Sequence, residues 1–259
     1  MYKTILYTEK DSILTITLNR PDVYNAFNEE MLMELQDAFK KAADNPNVRC
    51  VVLTGAGKAF CSGQDLKDFN EKKLTFKEAL EQRYNPLIRS IAGLQKPVIC
   101  AINGVAAGAG ISLALACDYR IAVESATLIE VFINVGLVPD SGSAFFLPRI
   151  VGYAKGFEMC ATGNKVTAAE AKRIGLVNKV VSSINLLKMS SEIVAKDFAS
   201  RPTKAIGMIK KLMNSSFSST LDEVLDMESS YQEEAGNTED FKEGIASFLE
   251  KRRSEFKGK

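Results

Sequence analysis

Residues 97–118 read PVICAINGVAAGAGISLALACD, and the fold depends on how this stretch is divided. Its first part, Pro97-Val98-Ile99-Cys100-Ala101-Ile102, is an apolar run rich in β-branched residues, the pattern of a strand buried on both faces. Asn103-Gly104 breaks the run. Gly108-Ala109-Gly110 then leads into the small apolar residues 111–116, which suit a helix. The stretch therefore predicts a strand, a glycine turn and a buried helix. Small residues at such a turn let another group approach the backbone closely. The first amides of the helix lack intrahelical partners and favour negative charge. The turn thus suits an anion, or an oxygen that becomes one.

Other readings of the stretch fail on particular residues. It is about as long as a membrane span, but Asn103, Gly104, Gly108 and Gly110 sit inside it and no basic flank precedes it. Gly108-x-Gly110 opens a dinucleotide fingerprint, but Leu113 stands where its third glycine belongs. The 259 residues carry a net charge of +1, which argues against a nucleic-acid binder relying on bulk positive field. Five scattered cysteines, mostly in apolar runs, read as reduced core residues of a cytoplasmic protein. Histidine is absent, which removes Ser-His-Asp triads, Cys-His dyads and histidine-ligated metals. Acid–base chemistry falls to Asp, Glu, Lys, Tyr or Cys.

Working outward, residues 5–8 and 13–18 read as a hairpin joined by Glu9-Lys10-Asp11-Ser12. Asn28 reads as the cap of a helix with the apolar stripe Met31, Leu32, Leu35, Ala38, Phe39 and Ala42, stopped by Asn45-Pro46-Asn47. Residues 50–54 form a buried strand before Gly55-Ala56-Gly57-Lys58. This is no Walker loop, since Ala59 follows the lysine. Residues 59–67 then repeat the character of the opening stretch: small residues, a glycine, the start of a helix. Two such turns at neighbouring strand ends would aim two backbone amides at one spot, an oxyanion hole. Residues 74–94 predict an amphipathic helix, 119–122 and 127–129 short strands, and 136–142 a turn before a helix over 144–150. Helices over 152–161 and 168–174, with Thr167 as cap, precede a strand at 179–181. From Ile184 the chain is helical and increasingly charged. Strand–helix alternation implies a mainly parallel core.

Several stretches carry a resemblance. They are Asn19-Arg20-Pro21 with Asn25-Ala26, Ala59 through Leu66, Lys96-Pro97-Val98 through Gly110, Ala168-x-Glu170-Ala171 with Gly175-Leu176-Val177, and Phe248-Leu249-Glu250-Lys251-Arg252. In this order they make the chain similar, from end to end, to the crotonase (enoyl-CoA hydratase/isomerase) superfamily. The resemblance implies an α/β fold: a spiral of ββα units over residues 1–183, carrying the CoA and acyl site, and a helical C-terminal region over 184–259 used in trimerisation. It implies an acyl-CoA thioester substrate, with CoA part of the substrate and no separate cofactor or metal. It also implies self-association as a homotrimer or dimer of trimers, and no nucleic-acid or membrane partner.

By the same resemblance the amides of Gln64 and Ala109 form the oxyanion hole, flanked by Gly108 and Gly110. Ala26, Ala59, Cys61, Ser62, Gly63, Asp65, Leu66 and Lys67 line the CoA site, with Lys67 near a phosphate. Phe248 and Lys251 approach from the C-terminal helices. The two glutamates that family hydratases use on water correspond to Ser112 and Phe132, neither an acid or base. Glu130 lies two residues from Phe132. Asp140 sits where isomerase-type members place their acidic residue, although Pro139-Asp140-Ser141-Gly142 is also ordinary turn or cap chemistry. The expectation is a cytoplasmic isomerase in which Asp140 moves a proton between carbons of a β,γ-unsaturated acyl group, or assists opening of a ring epoxide. Water addition by a hydratase, and CoA or RNA binding without catalysis, are the alternatives.

Overall fold

The computed structural model describes residues 2–68 and 74–259. Strand β1 (Ile5–Lys10) turns back into β2 (Ile13–Leu18). Only Asp11 and Ser12 form the link, with φ of 52° and 61°, a turn whose twist matches that of the flanking strands. The expected four-residue link shrinks because pairing continues through Glu9 and Lys10. The chain then gives β3 (Cys50–Gly55), β4 (Ala59–Cys61), β5 (Val98–Ile102), β6 (Val105–Ala107), β7 (Tyr119–Val123), β8 (Thr127–Ile129), β9 (Val166–Thr167) and β10 (Lys179–Val181).

These strands sort into a six-stranded sheet ordered β1-β2-β3-β5-β7-β10, parallel from β2 onward, and a four-stranded sheet ordered β4-β6-β8-β9. Each of β3, β5 and β7 hands the chain on to a short strand of the second sheet. All five residues of β5 are buried, as its unbroken apolar run predicts. Of these short strands β8 matches the sequence reading, whereas β4 and β6 escape it. Three small apolar residues, such as Val105-Ala106-Ala107, are too few to show a period of two.

Helix α1 (Glu29–Asp44) starts where the side chain of Asn28 accepts from the amide of Met31, and it buries the whole predicted stripe against β1 and β2. Helix α2 (Phe76–Ala79) runs through a π-helical turn, Leu80–Tyr84, into α3 (Asn85–Gly93). Helix α4 (Ala109–Leu115) is buried along its whole length. Next come α5 (Ser143–Val151), α6 (Tyr153–Thr162) and α7 (Ala168–Arg173), the last capped by Thr167. Helix α8 (Ile184–Ala199) lies across the six-stranded sheet, burying Leu187, Ala195 and Ala199. Helices α9 (Thr203–Ser216), α10 (Leu221–Gly236) and α11 (Glu239–Glu250) complete the chain. Among the described residues no helix is long and apolar enough to cross a membrane. The five cysteines are free thiols, four of them buried.

Candidate active site

Strands β4 and β6 lie side by side in parallel, so the turns that follow them meet. The meeting is backbone against backbone. A Cβ added to Gly110 would overlap the carbonyl oxygen of Cys61, and one added to Gly63 would lie 2.9 Å from the Ala107 carbonyl and 3.5 Å from the Ala109 nitrogen. Gly108, at φ 53° and ψ −128°, turns the chain into α4, a conformation that L side chains rarely adopt. Ala109 is the first residue of that helix and Gln64 sits on the facing turn. Among the described residues neither amide has an acceptor.

Side chains hold the first turn in place. The amide nitrogen of Asn25 donates to the carbonyls of Ala56 and Ala59 at 2.9 and 2.8 Å, and that of Asn103 donates to Gly57 and Ala59. Phe27 pairs with Gln64 through two main-chain bonds, its amide to Gly63 and the Asp65 amide to its carbonyl. Asp65 accepts from Arg20 at 2.9 Å and from the Lys67 amide at 3.1 Å, so it caps the turn that follows. The Gln64 side chain is fixed as well. It accepts from the phenol of Tyr84 and donates to the carbonyls of Phe27 and Asp65. The π-helical turn delivers Tyr84 to this position, packed edge-on against Phe27. Burial pushes the Cys61 thiol up to about 12, so it is a filler rather than a nucleophile.

Two carboxyls stand beside the second turn. Asp140 is half-buried, and burial raises its pKa above the ordinary carboxylate value, only partly offset by a hydrogen bond from Ser141. Its carboxylate does not cap α5. Gly142 holds that position, and the Ser143 amide instead reaches the Asp140 carbonyl. Glu130 is fully buried. One oxygen accepts from Ser143 at 2.9 Å and the other has no partner among the described residues. Burial, helped by the charge of Asp140, pushes Glu130 up to about 7. Ser112 ties the two regions together, its hydroxyl 3.1 Å from both the Gly108 and the Asp140 carbonyl oxygens. Phe132 and Val131 close the far side of Gly108.

Ala26, Ala59, Cys61, Ser62, Gly63, Gln64, Asp65, Gly108, Ala109, Gly110 and Asp140 therefore gather round one spot. Leu66 and Lys67 follow as exposed residues at its rim, Leu66 being 68 % exposed. Phe248 and Lys251 do not join them within one chain. Helix α11 packs on α10 and is tied to its own tail by Asp240 and by the Arg252–Glu243 pair. Tyr84 and Ser143 join the site without having been among the sequence candidates, and Ser112, noted there only as a position with no acid or base, joins it through its hydroxyl. Tyr84 lies within the amphipathic helix predicted over 74–94, which does not say where its phenol points. A separate groove of about 620 Å³ between the six-stranded sheet and α8 is lined by threonines, lysines, Asp11 and Glu192 and reaches Gly57 and Asn103, but none of residues 61–67 or 108–110 lines it. Among the described residues no cluster of acidic or thiol side chains is placed to hold a metal.

A model of the enoyl-CoA hydratase/isomerase family matches residues 8–259. The chain is 41% identical over 263 residues to the 1,2-epoxyphenylacetyl-CoA isomerase of Escherichia coli K12, covering the full length of both. It is 34% identical to the crotonyl-CoA hydratase of Syntrophomonas wolfei, over 98% of each chain. The crystal structure of an enoyl-CoA hydratase from Bacillus anthracis superposes with a TM-score of 0.93 at 34% identity, covering 99% of this chain and 100% of the other.

Proposed function

The chain belongs to the enoyl-CoA hydratase/isomerase family, and from that premise we propose that it is a cofactor-free isomerase of acyl-CoA thioesters. The substrates we assign are a 3-enoyl-CoA, converted to the 2-enoyl ester, and ring-1,2-epoxyphenylacetyl-CoA, converted to oxepin-CoA. The reading is supported above all by the position of Asp140. It is the half-buried carboxylate whose main chain is joined through one hydroxyl to the peptide that bears the Ala109 amide.

In the mechanism we propose, the thioester carbonyl lies between the amides of Gln64 and Ala109. Asp140 removes a proton from the carbon next to the carbonyl, and the electron pair passes into the carbonyl oxygen as an enolate. Each amide donor lowers the barrier by roughly 3 kcal/mol. For the 3-enoyl ester the enolate is conjugated with the double bond, and Asp140 returns its proton two carbons further on. Proton count is unchanged, so one carboxyl suffices. Burial makes the Asp140 carboxylate a stronger base than an exposed one, which suits the first step.

Glu130 favours a second reading. A second carboxyl in electrostatic contact with Asp140 is what water addition by a hydratase asks for. A panel of 3-enoyl-, 2-enoyl- and ring-epoxide CoA esters, followed by mass and absorbance, separates the two. Isomerisation of the first or third supports our assignment, and hydration of crotonyl-CoA in their place supports the second. We further propose that the chain assembles as a trimer or dimer of trimers through its C-terminal helices, where Leu221, Phe241 and Leu249 are exposed. A monomeric mass by light scattering would contradict it.

A further inference from the structure

The network around Glu130 is enclosed and short. Glu130, Ser143 and Ser112 are each fully buried. Ser143 Oγ lies 2.9 Å from Glu130 Oε1 and 2.8 Å from Ser112 Oγ, which in turn reaches the carbonyl oxygens of Gly108 and Asp140, both at 3.1 Å. An enclosed carboxyl with one oxygen unpartnered costs stability, and an apolar side chain of similar volume would fill the space without that cost. The carboxyl therefore calls for a role outside packing.

We propose that Glu130 is a positioning residue: its carboxyl orders the protons of Ser143 and Ser112, and Ser112 holds the Gly108–Ala109 peptide and the Asp140 main chain at a fixed spacing. The inference rests on the roles proposed above for Ala109 and Asp140.

The hydroxyl of Ser112 has one proton and three acceptors within reach, so the network has two arrangements. With Glu130 ionised, Ser143 donates to the carboxylate and its oxygen is open to the Ser112 proton. Ser143 Oγ then competes with the two main-chain carbonyls for that proton. With Glu130 protonated, the carboxyl donates to Ser143, Ser143 donates to Ser112, and Ser112 donates to Gly108 or Asp140. The chain of donors then ends on the main-chain oxygens beside the reacting groups, and each bond polarises the next. A donor on the Gly108 carbonyl also draws density from the peptide whose N–H is the Ala109 amide, making that amide a better donor. The titratable groups facing Glu130 are Asp140, from the turn before α5, and the Cys160 thiol of α6. Both disfavour its ionised form when they carry charge themselves.

The test uses butanoyl-CoA labelled at the thioester carbonyl, a saturated ester with no double bond to move. The change in its carbonyl stretching frequency on binding reports polarisation whether or not the protein isomerises anything. The expected shift is larger at about pH 6 than at about pH 8 in the natural chain. In Glu130→Gln, whose amide group donates to Ser143 at any pH, it stays at the low-pH value. Ser112→Ala shrinks the shift at both pH values and lowers kcat on 3-enoyl-CoA about tenfold, with KM little changed. Ser143→Ala, a small change in a buried site, removes the pH dependence independently of Glu130→Gln. A pH dependence that survives in Glu130→Gln or Ser143→Ala, or a natural-size shift in Ser112→Ala, overturns the proposal. Absence of any shift in the natural chain overturns it together with the oxyanion hole. Shifts that behave as expected without turnover of 3-enoyl or ring-epoxide esters leave it standing and remove the isomerase reading.

Discussion

The phenol of Tyr84 donates to Oε1 of Gln64, and Nε2 of the same side chain donates to the carbonyls of Phe27 and Asp65. The side chain of Gln64 thereby steadies the turn that carries its own backbone amide. Tyr84→Phe removes the donor and leaves a half-buried carbonyl oxygen unpaired, a loss of about 1–3 kcal/mol. The expected result is a lower thermal midpoint and a several-fold drop in kcat, measured on 3-enoyl-CoA. An unchanged kcat with a lower midpoint would confine Tyr84 to stability.

Asp140→Asn keeps the size of the side chain and can still accept from Ser141. The turn depends on the Asp140 carbonyl, which the substitution leaves alone. It removes only the ability to take and return a proton, so kcat should fall ~10²–10⁴-fold while Kd for a product CoA ester stays close to the natural value. Near-natural turnover would show Asp140 to be a turn residue and would return attention to Glu130.

Ala109→Pro tests the amide donor directly. Position 109 is the first of its helix, where proline fits and the missing N–H breaks no helical bond. Turnover should be lost and the circular dichroism spectrum retained. A folded variant that turns over normally removes this amide from the hole.

Stability should depend on pH in a direction set by Glu130. Unfolded, its carboxyl ionises near 4.5, whereas burial holds the proton up to about 7 in the fold. Between these values the native state binds more protons, so stability falls as pH rises through the window. Asp140, also raised by burial, acts with the same sign. Asp65 works the other way. Burial is its largest single influence and raises the pKa, but the Arg20 hydrogen bond, the Asp68 and Lys67 amides and the Arg20 charge together lower it, so its contribution is lost only on acidification. Thermal midpoints between about pH 5 and pH 8 should decline, and the decline should flatten in Glu130→Gln. An equal slope in both proteins would mean that Glu130 does not titrate there.

Much of the frame was legible because its signals are local. The Asn28 cap, the stripe from Met31 to Ala42, the apolar run of β5 and the Thr167 cap each lie within one helix or one strand, and the structure has all of them. The strands β4, β6 and β9 were not legible, since two or three residues carry no period and pair only once a neighbour is in place. The π-helical turn depends on where Tyr84 must point, a tertiary matter. Glu130 was visible as a carboxylate near the site. Its burial and its bond to Ser143 were not, because strand alternation ends at Ile129 and a tighter helical turn begins at Val131. Asp140 shows the converse: Pro-Asp-Ser-Gly reads as turn chemistry, and the structure adds burial and the link through Ser112 that turn chemistry alone does not supply.

The contact of Gly63 and Gly110 with the opposite turn is made by main chain alone. A library of substitutions would map this as an inversion of the usual pattern. Position 109 supplies in our mechanism only an N–H common to all residues but proline, so its side chain need only fit the space of Ala109, whereas position 64 also needs the bonds its side chain makes. Glycines 63 and 110, which supply no chemistry, would tolerate almost no side chain. Comparing residue types across such a library would therefore point beside the catalytic groups rather than at them, and only backbone replacement, such as an ester in place of the amide at 109, would reveal what that position does.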